Sequence, residues 1–122
     1  MIQQIVSMIV EALLHKKKIR QKEWEDYDHL TRQILGTDTR ELLNTSADEL
    51  IARHADTPDG MEKLELAAVN MLKLAEEVDE DNPLLKSRLR QEGIQLLKYI
   101  QQHSNNYSLQ REFLIGLLET NH

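Results

Sequence analysis

Met61, Leu64, Ala68, Met71, Ala75 and Val78 follow one another at alternating spacings of three and four residues. That period places them on one face of a helix. Ala67, Leu72 and Leu74 widen the face, as expected where a helix is packed on more than one side. A helix of this kind needs other helices around it, and the rest of the chain supplies them. Gly (4), Pro (2) and aromatic residues (4%) are scarce, which removes the turns and β-formers of an all-β fold.

Ile2, Ile5, Val6, Ile9, Ala12 and Leu13 form the stripe of a first helix over about residues 2–18. Lys16, Lys17 and Lys18 fall in its expected last turn, where cations favour the helix dipole. Trp24, Tyr27, Leu30, Ile34 and Leu35 share a face of a second helix from about Arg20 to Leu35. Whether residues 2–35 form one helix or two is open, because neither Gly nor Pro separates them. Gly36 is placed to end the second in the left-handed region.

Thr37 or Asp38 can cap a short turn over Thr39–Leu43, and Ser46 with Glu49 writes a capping box before Leu50 and Ile51. Asp56-Thr57-Pro58-Asp59-Gly60 is the clearest loop signal. Asn82 and Pro83 make a good N-cap and first helical residue. Leu85, Leu89, Gly93, Leu96 and Ile100 then recur at helical spacing. Gly93 costs about 1 kcal/mol of propensity there, so its expected use is close approach of a neighbouring helix. Ser104-Asn105-Asn106 closes that helix and Ser108 caps the last, with Leu109, Phe113, Leu117 and Leu118 expected inward.

The expected fold is all-α: about five to seven helices in antiparallel hairpins, with no sheet. One domain spans 1–122. It comprises an amphipathic N-terminal helix (1–19), a helix with short helical turns (20–56) and a three-helix C-terminal part (57–122).

Ala68, Leu72 and Ala75 stand at the small-bulky-small spacing of the second helix of a tetratricopeptide repeat. The Trp, Leu-Gly, Tyr signature of its first helix is not at its spacing, and no second copy can be laid over the chain. Gln33-Ile34-Leu35-Gly36-Thr37-Asp38 and the run from Leu42 to Ile51 resemble the middle of a family of uncharacterised bacterial proteins with tetratricopeptide-like helices. The resemblance spans most of the chain through packing and capping motifs. It implies a fold and a protein-binding scaffold, and supplies no catalytic residue.

Chemistry is sparse. Cysteine is absent, so no thiolate metal site or cysteine nucleophile exists, and a reducing cytoplasm fits. His15, His29, His54, His103 and His122 lack metal-ligand spacing and read as surface residues. The acidic groups 25–28, 76–77 and 79–81 read as solvated faces and loops, and no Gly-rich phosphate loop occurs. No enzyme, cofactor or metal is expected.

Residues 1–22 hold Lys16, Lys17, Lys18, Arg20 and Lys22 against Glu11, a balance of +4. With the whole chain at −6, the remainder carries −10. That balance disfavours nonspecific nucleic-acid binding. The apolar start is too short and too interrupted for a membrane span, and its basic residues stand on the wrong side for a secretory signal. The expectation is a cytoplasmic, noncatalytic interaction or scaffolding module. Its partner would be another protein or a second copy paired through the first helix. The candidate surface is Ile2, Ile5, Ile9, Lys16, Lys17, Lys18, Arg20, Trp24 and Tyr27. The alternative is peripheral binding to a membrane or polyanion through the N-terminal helix and basic run.

Overall fold

The fold is organised around one helix that others cover on several sides. In the computed structural model, which describes residues 2–15, 18, 20–78, 80–104 and 108–120, seven helices follow in order. They are α1 (Ile2–Leu14), α2 (Gln21–Leu35), α3 (Thr39–Leu42), α4 (Ala47–His54), α5 (Gly60–Glu77), α6 (Pro83–His103) and α7 (Leu109–Thr120). No strand occurs among the described residues.

Helix α5 is the hub. It packs most extensively on α6 and α1, and also touches α2, α3 and α4. Every residue from Leu64 to Lys73 is buried, so the broad apolar face of the sequence is spent in several directions. All seven helices contribute to one continuous core, from Ile5, Val6 and Ile9 of α1 to Leu114 and Ile115 of α7.

The α5–α6 pair is closed by Gly93. A Cβ built there would lie 2.8 Å from Cγ and Cδ2 of Leu72 and 3.2 Å from the carbonyl oxygen of Ala68. These positions are similarly far from the connection at residues 78–82, so the pair is an antiparallel hairpin. The close approach expected of Gly93 is therefore present.

Capping chemistry sets most boundaries. Gly36 ends α2 at φ 73°. Asp38 caps α3, its carboxylate accepting from the backbone N–H of Glu41 at 2.9 Å. The Ser46 hydroxyl accepts from the N–H of Glu49 at 3.2 Å. Asn82 caps α6 ahead of Pro83, and Ser108 caps α7 by accepting from the N–H of Arg111 at 3.1 Å.

Residues 2–35, left open between one helix and two, form two. Three expectations need correction. First, α1 stops at Leu14 with no basic residue in its last turn, short of the expected end near residue 18. Arg20 is extended, at φ −69° and ψ 155°, while Lys16 and Lys17 lie outside the described residues. Second, α7 turns Leu114 and Ile115 inward and leaves Leu109 and Phe113 exposed. Third, His54 is buried, whereas His15, His29 and His103 are at the surface. His122, Asn105 and Asn106 lie outside the described residues.

Candidate interaction surfaces

The residues singled out from the sequence do not form one surface. Ile5 and Ile9 are buried where α1 packs on α5, and Ile2 is half-buried against the same core. The apolar stripe of α1 is thus satisfied inside the chain and offers no docking face in this fold. Lys18 and Arg20 are exposed, and Arg20 pairs with Glu23 at 2.7 Å. Tyr27 is buried, and burial pushes its phenol above the usual range, helped by Glu23 and Asp26. Trp24 is half-buried and meets Tyr27 edge to face, with ring centroids 6.3 Å apart.

Trp24 does line an open groove of about 310 Å³ where α2 and α3 meet the end of α5. Its apolar lining is Trp24, Leu43 and Leu74. Glu25 and Asp28 of α2 and Glu77 of α5 supply carboxylates, and Arg40 of α3 is the cation among the lining residues. Asp28 fixes the geometry: its Oδ1 accepts from the backbone N–H and the hydroxyl of Thr39, at 2.7 and 2.9 Å. That pair of bonds ties the start of α3 to the middle of α2. Behind the groove, the fully buried Lys73 reaches Glu76 at 2.8 Å and Glu77 at 3.8 Å.

A second, smaller crevice of about 260 Å³ opens beside α5, α6 and α7. Its centre is an ion pair in which Nε of Arg111 donates to Glu65 at 2.6 Å, with both side chains nine-tenths buried. Arg111 also donates to Gln101, whose amide donates to Glu112 at 2.7 Å. These groups are committed to one another, so the arrangement works as a clamp holding α7 onto α5 and α6.

The third surface is the outer face of α7. Leu109 is 76% and Phe113 61% exposed, one turn apart on the same side. Large apolar side chains exposed at i and i+4 of one helix mark a candidate contact surface.

Sequence reasoning missed the polar fasteners between α6 and the α3–α4 joint. Arg88 donates to the carbonyl of Leu43, Glu92 accepts from the first N–H of α4 at Ala47, and Gln95 donates to Asp48 at 3.2 Å. Residues 88, 92 and 95 share one helical face, which is the signal that could have shown them.

Burial, reinforced by Lys63 and Arg53, pushes the His54 imidazole below its ordinary pKa, and its buried Nε2 has no hydrogen-bond partner. Hydrogen bonds from the Glu41 amide and from Arg32 keep the Asp38 carboxyl below its ordinary range. Among the described residues no cluster of three or more His, Asp or Glu could hold a metal ion, and no helix is long and apolar enough to cross a membrane. Comparison with protein-family models, curated proteins and solved structures finds no match for this chain.

Proposed function

We propose that this chain is a noncatalytic protein-interaction module. The observation that carries the reading is the outward pair Leu109 and Phe113, left exposed on a helix whose opposite face is already packed. Large apolar side chains presented one turn apart are the anchors by which one helix engages another. The α5–α6 hairpin with its small residues at Ala68 and Gly93 adds support by analogy with tetratricopeptide-like scaffolds. Support for a noncatalytic role comes from the buried charges: Arg111 is engaged by Glu65, and Lys73 by Glu76. The lipid reading of α1 gains nothing from the fold, because Ile5 and Ile9 face α5 and inserting them would require α1 to detach.

The test is capture from the lysate of the source cell, with the intact chain compared with L109S/F113S. Both positions are exposed, so the variant should melt close to the wild type. The expected result is a specific protein held by the wild type and lost by the variant. Identical recoveries of a specific protein by the two chains would move the interaction off α7, and none by either would remove the reading.

A further inference from the structure

We infer that the groove around Trp24 is a docking site for a lysine- or arginine-bearing peptide segment of another protein. The inference rests on the interaction-module reading, but on a different surface from the α7 face. Its walls come from helices far apart in sequence, and their charges add with one sign. Glu25 and Asp28 approach from α2 and Glu77 from α5, against Arg40 alone among the lining residues. Lys73 reaches both Glu76 and Glu77, and counting all three with the other lining charges still leaves the surplus negative.

The apolar lining decides what kind of cation fits. Trp24, Leu43 and Leu74 are half-buried and present hydrocarbon between the carboxylates. A lysine or arginine side chain has the matching anatomy, an aliphatic stem ending in a charged head. The stem would cover Leu43 and Leu74, and the head would meet Glu25 or Glu77. An indole beside a cation adds attraction through its ring face. A free inorganic cation would leave that apolar lining uncovered. An anionic partner such as nucleic acid would meet the wrong sign.

A partner protein fits better than a second copy of this chain. Each copy carries −6 overall, so two copies repel on approach while a basic partner is drawn in, and docking of a second copy's basic run at residues 16–22 is the outcome that the oligomeric state reads out. The groove also sits next to the Asp28–Thr39 bonds that fix α3 on α2, so its two walls are set before a ligand arrives.

Trp24 is the single tryptophan and lines the groove, so its emission reports occupancy directly. The probe is a short synthetic peptide of alternating lysine and leucine, with an alternating glutamate–leucine peptide as control. The expected result is a saturable change in emission with the lysine peptide alone, weakening as salt is added. Glu25→Lys should weaken binding about tenfold and Arg40→Glu should tighten it, since charge pairs at a docking surface act through their sign. Both residues are exposed, so neither variant threatens the fold. Asp56→Lys, the same charge change at an exposed loop position outside the groove lining, should leave binding near the wild-type value. No saturable change, or equal losses from Glu25→Lys and Asp56→Lys, would overturn the site. So would a dimer by light scattering that Glu25→Lys dissociates, because the occupant would then be a second copy. Capture by the α7 face is read separately, so its failure is distinguishable from failure here.

Discussion

Gly93 and Leu72 share a space that holds only one of their side chains. A Cβ at Gly93 would stand 2.8 Å from both Cγ and Cδ2 of Leu72, which is itself only 2% exposed. The glycine therefore costs helix propensity on α6 and returns it as a tighter α5–α6 contact.

Gly93→Ala follows from that competition. The added methyl gains about 1 kcal/mol of propensity. It also overpacks a closed contact, which costs about 1–3 kcal/mol. The nearby backbone oxygen of Ala68, at 3.2 Å, limits how far the helices can yield. The expected net loss is about 1 kcal/mol by urea denaturation. In a Leu72→Ala background the same substitution should become neutral or stabilising, because the steric opponent is gone. A stabilised Gly93→Ala single variant would contradict the close approach.

Gly60→Ala should cost more. Its Cβ would fall 2.3 Å from the carbonyl oxygen of His54 and 2.6 Å from that of Ala55. Those are backbone atoms, so the end of α4 must move rather than a side chain rotate. The preceding Asp59 already sits at φ 57°, leaving the turn little freedom to adjust. A loss at the upper end of about 1–3 kcal/mol is expected, larger than at Gly93 in the same denaturation series. A Gly60→Ala chain as stable as the wild type would show that α5 does not close on the end of α4.

The Arg111–Glu65 clamp predicts a non-additive pair. Removing either charge leaves the other nine-tenths buried without its partner. Arg111→Met and Glu65→Met should each destabilise by about 3 kcal/mol, since a lone buried charge is costly. The double variant should lose less than the sum, because no orphan charge remains. Additive losses in the cycle would mean that the two side chains do not pair.

The same clamp explains why the orientation of α7 was not legible in the sequence. Two apolar stripes run along that helix, one through Leu109 and Phe113 and one through Leu114 and Ile115. Periodicity gives both the same weight. The choice is made by Arg111, which lies beside the second stripe and must reach Glu65, 46 residues away. The stripe of α1 fails for a related reason: Ile5 and Ile9 announce a buried face, but not whether this chain or a partner buries it. Local signals fared better. Gly36, Asp38, Ser46, Asn82 and Ser108 act within a turn of their own position, and each stands at the boundary its chemistry predicts. The groove lies beyond such signals, since its lining comes from residues 21–28, 39–43 and 74–77.

His54 ties this fold to pH. The ring is buried at the end of α4, and burial, followed by the charges of Lys63 and Arg53, holds its pKa below the ordinary 6.5. The folded chain therefore binds fewer protons at this site than the unfolded chain in the interval below pH 6.5. Stability must rise with pH across that interval and fall as the medium is acidified. The loss begins near the unfolded value and levels off once the folded site also protonates. Melting temperature followed from neutral pH downward should drop through this window. His54→Gln removes the titration, so its curve should be flatter there, apart from the shared carboxylate titrations at lower pH. The uncharged amide also tests the orphaned Nε2, because any neutral-pH cost of the substitution measures packing rather than protonation. Parallel curves for the two chains would show that the buried imidazole does not contribute to the acid sensitivity of the fold.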